Sequence, residues 1–388
     1  MTAIADFLLA YGPAMPFGSD PWWSGWGLFF VAGAIYMGVK IGRSIGTSAG
    51  LCVFWTLISG IRIFAVKSTY AELGAATAMA MDNVALNATL CFALIILILG
   101  SMNEKSLEFF EERIAGICLV NSLIVLIEYW YGAPTAGLLG NPSMNGVFIA
   151  VSYPLLAMKA ERNDYIQLKL KDSVRLHSVR ILWDIICFTV PLIAVFATGQ
   201  SVPVATLLVV WTVYLLFSHD AGVRLNTLGK KLSVTVSMLG AGIAVAIWKV
   251  PNLMHDSGRV AVWRESLRWW LENADFMVGT GAGTYFMWGP HIQQASNISI
   301  GNWFIWAHCD PLQLLFEYGF VGIMLYGWFF LETLIVCHLS TTAYRTAALT
   351  GLLAASFLNF PFHLAATALL GALLCIRMRR QIQMDNPE

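Results

Sequence analysis

"LQLLFEYGFVGIMLYGWFFLETLIVCH" (residues 312–338) decides the fold class. An α-helix rises about 1.5 Å per residue, so a run this long and apolar can cross the roughly 30 Å core of a bilayer. Similar runs lie near 22–39, 47–65, 84–100, 114–131, 146–158, 181–197, 203–217, 232–248, 346–359 and 361–376. The run at 146–158 is short, the last two also read as one broken helix, and residues 2–17 leave room for one more. The alternating ten-residue segments of a membrane β-barrel are absent. The sequence predicts an all-α, polytopic membrane protein with about 11–12 transmembrane helices.

Composition points the same way. The 388-residue chain is 58% hydrophobic and 12% charged, with a mean hydropathy of +0.68. Soluble domains carry about 25% charged residues. A net charge of zero with no basic tail leaves no footprint for nucleic acid. Cys52, Cys91, Cys118, Cys187, Cys337 and Cys375 lie in or beside apolar runs. Cys309 alone falls in a long polar loop, with no evident disulfide partner. The amino terminus lacks the basic region and cleavage site of a signal peptide, so insertion is expected to begin from a true transmembrane segment.

Basic residues orient the spans. Seventeen of the 23 lysines and arginines fall on one set of loops, from Lys40 and Arg43 through 159–180 and 224–231 to Arg345, Arg377, Arg379 and Arg380. The other set holds Arg62, Lys67, Lys249, Arg259, Arg264 and Arg268. By the positive-inside rule the first set is cytoplasmic, and so is the carboxyl terminus. Residues 161–180 then form a cytosolic linker, partly amphipathic. The organisation expected is a bundle over 1–248, a long outer loop over 249–311 containing short helices, and closing helices with a cytoplasmic tail over 312–388. The outer loop is too aromatic for disorder, and loops of such length are usually functional.

Within "WAHCDPLQLLFEYG" (306–319), Asp310 followed by Pro311 reads as an N-cap and N1 proline, starting a helix directly after His308. A helix amino terminus disfavours imidazolium and attracts anions, which suits a neutral histidine acting as base beside a phosphate. The plainer reading is a histidine decorating a cap. Gln313 and Glu317 lie one turn apart and are either substrate contacts or a structural pair. Arg259, Arg264 and Arg268, interleaved with Trp263, Trp269 and Trp270, fit both an interfacial helix and a phosphate-binding set. "GTGAGT" (279–284) lacks the following Lys-Ser/Thr of a nucleotide loop and reads as a tight turn. No pair among His291, His308 and Cys309 has metal-ligand spacing, so neither metal nor cofactor is expected.

Taken in order, four outer-face segments resemble the O-antigen ligase and O-antigen polymerase superfamily of bacterial membrane glycosyltransferases. "AHCDPLQLLFEYGFVGIML" (307–325) looks like that family's H-N-x-x-L…E-x-G-x-x-G signature, and "SGRVAVWRESLRWWLENADFMVGTGAGTYF" (257–286) its arginine and glycine segment. "LGNPSMNGVFIAVSYPLL" (139–156) is similar to its N-x-N turn, and "SFLNFPFHLAATALLG" (356–371) to its closing helix. The resemblance implies transfer of a glycan from an undecaprenyl-diphosphate carrier to a glycan or lipid A core acceptor, at the periplasmic face of the bacterial inner membrane. It makes His308 the base or acceptor-orienting group, with Arg259 and Arg264 holding the diphosphate. Arg62, Gln200, Ser201, Asn141, Asn145, Asp310, Gln313 and Glu317 become substrate-side candidates. Diphosphate is a good leaving group, so charge neutralisation and an activated hydroxyl suffice without metal, and direct attack inverts the anomeric carbon. Two departures stand out. Cys309 replaces the asparagine that usually follows the histidine, and "TGQSVP" (198–203) lacks an arginine that Arg62 could supply. Ligase, polymerase and protein-directed transferase stay open, as does a transporter or lipid-linked glycan translocator that makes no bond.

Overall fold

Helices supply the regular structure of the computed structural model over its described residues, 33, 35–67, 95–96, 98–167, 174–217, 258–298, 304–336 and 343–385. Among these residues the only β pairing is one isolated bridge, Asp275 with Gly279. The chain is all-α there, as the apolar runs required. The expected span near 232–248, parts of those near 22–39 and 84–100, and the side chain of Arg62 lie outside the described residues.

The helices are α1 (35–45), α2 (Thr47–Lys67), α3 (Glu104–Trp130), α4 (Pro142–Gln167), α5 (Val174–Ala197), α6 (Ser201–Phe217), α7 (Gly258–Asn273), α8 (Tyr285–Ala295), α9 (Asp310–Val336), α10 (Ala343–Ser356) and α11 (Ala365–Asp385). Some ends move from those expected. The short run at 146–158 is the middle of the 26-residue α4. Much of the expected linker at 161–180 is helical, belonging to α4 and α5. The final stretch is two helices divided by a 3-10 turn at Pro361–His363. One helix among the described residues, Asp310–Ile335, is both long and apolar enough to cross a membrane, with shorter apolar helices at Thr47–Ser59, Pro142–Met158, Ile185–Ala197 and Ser201–Leu216.

Packing divides the chain into two compact units that cut across the stretches 1–248, 249–311 and 312–388. One comprises Met1–Ser101 with Asp256–Glu332, the other Met102–His255 with Thr333–Glu388. Loop length set the expected boundaries, whereas the units follow contact between segments distant in sequence.

In the first unit α1 and α2 approach closely. A Cβ built on Gly50 would lie 2.3 Å from the Gly38 carbonyl oxygen. Helix α2 meets α9 in antiparallel order: Ser48 bonds Glu332, Cys52 Sγ donates to the Leu325 carbonyl (3.3 Å), and Trp55 Nε1 donates to the Tyr318 carbonyl (3.2 Å). Beyond Gly319, α9 carries an exposed apolar face of Phe320, Met324, Trp328 and Leu331. Their three- and four-residue spacing forms one stripe about 16 Å long.

In the second unit α3 to α6 share a core built from Cys118, Val125, Ile149, Tyr153, Val195 and Leu207. At one end lies a buried ion network. Arg345 donates to Glu111 twice, Nε to Oε1 (2.7 Å) and Nη2 to Oε2 (2.9 Å), and Arg377 Nε adds a third bond (3.2 Å). The two side chains of the first pair are only 4% and 3% exposed, so its attraction is set against a large desolvation cost. Arginines that sequence counted as loop charges are thus structural. At the other end Asn359 Nδ2 donates to Ser143 Oγ (3.0 Å) and Asn121 Nδ2 to Asn145 Oδ1 (2.7 Å).

Candidate functional site

His308 sits where segments 258–293 and 304–317 of the first unit converge. Its backbone is left-handed, with φ of 51°. Histidine tolerates that region better than most residues, yet it costs about 1–3 kcal/mol and persists only where the surroundings impose it. The imposition is visible in Ala307, the preceding residue. Its N–H donates to Gln313 Oε1 (3.1 Å) and its carbonyl accepts from Trp263 Nε1 (2.5 Å). On the ring side, Phe304 stands edge-on to the imidazole with centroids 5.0 Å apart and planes at 83°. Phe304 is itself held by its N–H to Gln293 Oε1 (2.8 Å).

Arg259 and Trp263 are one turn apart on α7 and share a face. Burial and then the Arg259 charge lower the His308 pKa from 6.5 to about 4. His308 is therefore neutral at physiological pH, with a cation beside it. Arg264 follows Arg259 by five residues, about 140° around the helix. Its side chain is 76% exposed and pairs with Glu265 (3.0 Å). Arg268 likewise pairs with Glu272 at the surface (3.1 Å). Of the three arginines, Arg259 is the one whose charge acts on His308.

The helix start differs by one residue from that expected. Cys309, not Asp310, is the cap: its carbonyl accepts from Gln313 N–H (3.0 Å) and its sulfur accepts from Leu312 N–H. Asp310 and Pro311 are the first two helical residues, where an acidic side chain still suits the helix dipole. The left-handed turn at His308 brings the chain into the helix one residue early. Burial pushes the Cys309 thiol pKa up, so it caps as a neutral group. Asparagine ranks at the top for this position and sulfur is a weak acceptor. Cys309→Asn is expected to raise stability by about 0.5–1 kcal/mol, seen as a few degrees in a thermal melt in detergent. A lower melting temperature would contradict the capping assignment.

Gln313 and Glu317 are fully enclosed, at 0% and 2% exposure. Glu317 accepts from Gly283 N–H (2.7 Å), Tyr285 N–H (3.3 Å) and Gln313 Nε2 (3.0 Å). It caps α8, whose own cap residue Thr284 makes no side-chain cap bond. "GTGAGT" is thus the seat of that carboxylate. Just beyond, α9 breaks at Gly319, where φ is 67° and ψ −169°. The segment 276–281 fills the break. Phe316 and Glu317 carbonyls accept from Thr280 and Gly281 N–H (3.0 and 2.8 Å), while Phe320 and Val321 N–H donate to the Phe276 and Met277 carbonyls (2.9 and 3.1 Å). Trp269, Trp270, Tyr285, Trp288 and Phe316 pack the module together.

The remaining candidates belong to the second unit. Asn141 caps α4, its Oδ1 accepting from Met144 N–H (3.1 Å), and Asn145 is buried in its pair with Asn121. Gln200 is exposed in the turn ahead of α6, and Ser201 is that helix's first residue. Phe304 and Gln293 escaped sequence reasoning, and Trp263 was read as an interfacial anchor, not as a partner of the Ala307 carbonyl.

No family model matches this chain, and no curated protein matches it.

Proposed function

We propose that the chain is a multi-span membrane enzyme that moves a glycan from an undecaprenyl-diphosphate carrier to an acceptor hydroxyl, acting at the periplasmic face of the bacterial inner membrane with its carboxyl terminus in the cytoplasm. In the step, the acceptor oxygen attacks the anomeric carbon as the bond from that carbon to the diphosphate oxygen breaks. The configuration inverts. The hydroxyl proton passes to His308, and the diphosphate leaves with its charge against Arg259. Arg264, on the solvent side of α7, adds long-range attraction for the anion.

The observation that carries this reading is the placing of a neutral, half-buried His308 beside the charge of Arg259. One group can take a proton and its neighbour can neutralise an anion, as a lipid-diphosphate donor requires. Membrane placement is supported by the exposed apolar faces, since soluble proteins rarely show long contiguous ones. Besides the α9 stripe, α3 exposes Ile117, Val120, Ile127, Tyr129 and Trp130, with Tyr131 exposed just past its end, and α5 exposes Leu182, Ile185, Ile193 and Phe196. The aromatic end of α3 suits a headgroup belt. Sidedness is supported within the second unit. Residues expected inside meet at Glu111, Arg345 and Arg377, and those expected outside meet at Ser143 and Asn359.

The break at Gly319 is the feature that favours the alternative, a translocator, because transporters bind substrates at discontinuous helices. Here the freed groups of Phe316, Glu317, Tyr318, Phe320 and Val321 already have partners within the unit, which leaves those groups little for a transported ion. The purified protein incubated with an undecaprenyl-diphosphate glycan and candidate acceptors separates the readings. Chain lengthening identifies a polymerase, and transfer to lipid A core a ligase. Intact donor after incubation with both acceptor types, alongside facilitated movement of donor between vesicle leaflets, sinks the enzyme in favour of the translocator.

A further inference from the structure

Three backbone N–H groups, of Ala307, Gly283 and Tyr285, end on two neighbouring side chains of α9, Gln313 and Glu317. The chain of bonds has a direction. Ala307 N–H donates to Gln313 Oε1 (3.1 Å), Gln313 Nε2 donates to Glu317 Oε1 (3.0 Å), and Gly283 and Tyr285 N–H donate to the same carboxylate (2.7 and 3.3 Å). A series of donors running one way needs a group at its end that only accepts. An ionised carboxylate does so, and an amide does not, because one of its two ends always presents N–H. The middle position needs the opposite, an amide able to accept from Ala307 and donate onward. Glutamine at 313 with glutamate at 317 satisfies all four bonds at once, and one carboxylate with one amide is the least the series needs. Both are buried, so neither presents its polar atoms to a substrate arriving from solvent.

We propose that Gln313 and Glu317 are positioning residues, a one-way hydrogen-bond relay that holds the peptide ahead of His308 and so sets where its imidazole stands. The relay explains how a left-handed histidine is maintained. Ala307 is clamped at its N–H by Gln313 and at its carbonyl by Trp263, so the chain reaches His308 with its peptide plane fixed. It also links two motifs that are separate in sequence, since the carboxylate that ends the relay is the one that caps α8 through "GTGAGT". The inference rests on His308 as the base, and extends it to why the glutamate and glutamine accompany that histidine.

The polarity argument supplies its own test. Glu317→Gln is isosteric but sets N–H against N–H. Gln313→Glu is also isosteric but sets carboxylate against carboxylate. The double variant Gln313→Glu with Glu317→Gln restores every bond of the series except the longest, from Tyr285. Two readouts are taken on the full-length protein in detergent: kcat and donor KM for glycan transfer, and the titration of His308 followed by NMR of labelled histidine. Each single variant is expected to lower kcat at least tenfold with donor KM within about threefold, and to move the His308 titration upward as the ring loosens into solvent. The double variant is expected to recover most of both. A raised KM at unchanged kcat in the single variants would make these residues substrate contacts and overturn the relay. Failure of the double variant to recover would also overturn it. The titration is read without activity, so it separates the two claims. If it follows the relay while His308→Ala leaves transfer intact, the positioning stands and the base assignment falls.

Discussion

Gly319→Ala should cost about 3 kcal/mol or more of stability and displace segment 276–281 from the break. The backbone at Gly319 is left-handed, which a β-carbon opposes by roughly 1–2 kcal/mol. Space is a second obstacle. A Cβ there would lie 2.5 Å from Gly279 N and from the Met277 carbonyl carbon and oxygen, and these atoms are backbone, unable to rotate aside. Gly279 mirrors the problem, with φ of 68° and a Cβ position 2.5 Å from Gly319 N. To admit the methyl group, segment 276–281 must withdraw, losing its four bonds to the break, each worth about 1 kcal/mol net. The control is Gly327→Ala in the same helix, where an added Cβ meets nothing within 4 Å. Helix propensity favours alanine there by up to about 1 kcal/mol. Thermal unfolding followed by tryptophan fluorescence should show a large fall for the first variant and none for the second. Equal melting temperatures would mean that the 276–281 segment does not hold the break.

This break marks the limit of what the sequence revealed. Apolar runs were enough to establish helices, because a bilayer-length apolar segment has no other way to satisfy its backbone. They read 312–338 as one span, since a glycine within a helical pattern is tolerated and signals nothing by itself. What turns Gly319 into a break is a partner 40 residues earlier in sequence. The Arg345 contacts were hidden for the same reason. Counting basic residues assigns a side, whereas burial against Glu111 depends on which helices pack. Polarity singled out His308, Arg259, Gln313 and Glu317 as candidates, because chemistry-bearing residues are conspicuous in an apolar chain. Their division of labour was not legible. A glutamate that caps a distant helix and one that touches substrate look alike in one dimension.

The largest expected effect on activity comes from His308→Ala, a loss of about 10²–10⁴ in kcat, the usual contribution of general base catalysis. The pH profile distinguishes this role from a structural one. In the free protein His308 titrates near pH 4, because burial and then Arg259 disfavour imidazolium. The acid limb of kcat/KM, which reports the free enzyme, should therefore fall near pH 4. Diphosphate bound against Arg259 cancels much of that charge. The acid limb of kcat, which reports the complex, should then lie at higher pH, and the base strengthens once donor is present. Arg259→Ala should raise the kcat/KM limb toward 6.5 while weakening donor binding, whereas Arg259→Lys keeps the charge and leaves the limb low. Stability follows the same shift with a definite sign. The folded-state pKa lies below the unfolded value, so between about pH 6.5 and pH 4 the unfolded chain binds the extra proton. His308's contribution is fully present above 6.5, declines as pH falls to about 4, and is constant below it. His308→Gln should flatten that part of the stability curve. A kcat/KM limb unmoved in Arg259→Ala would separate the two side chains and end the case for a base tuned by its phosphate-binding neighbour.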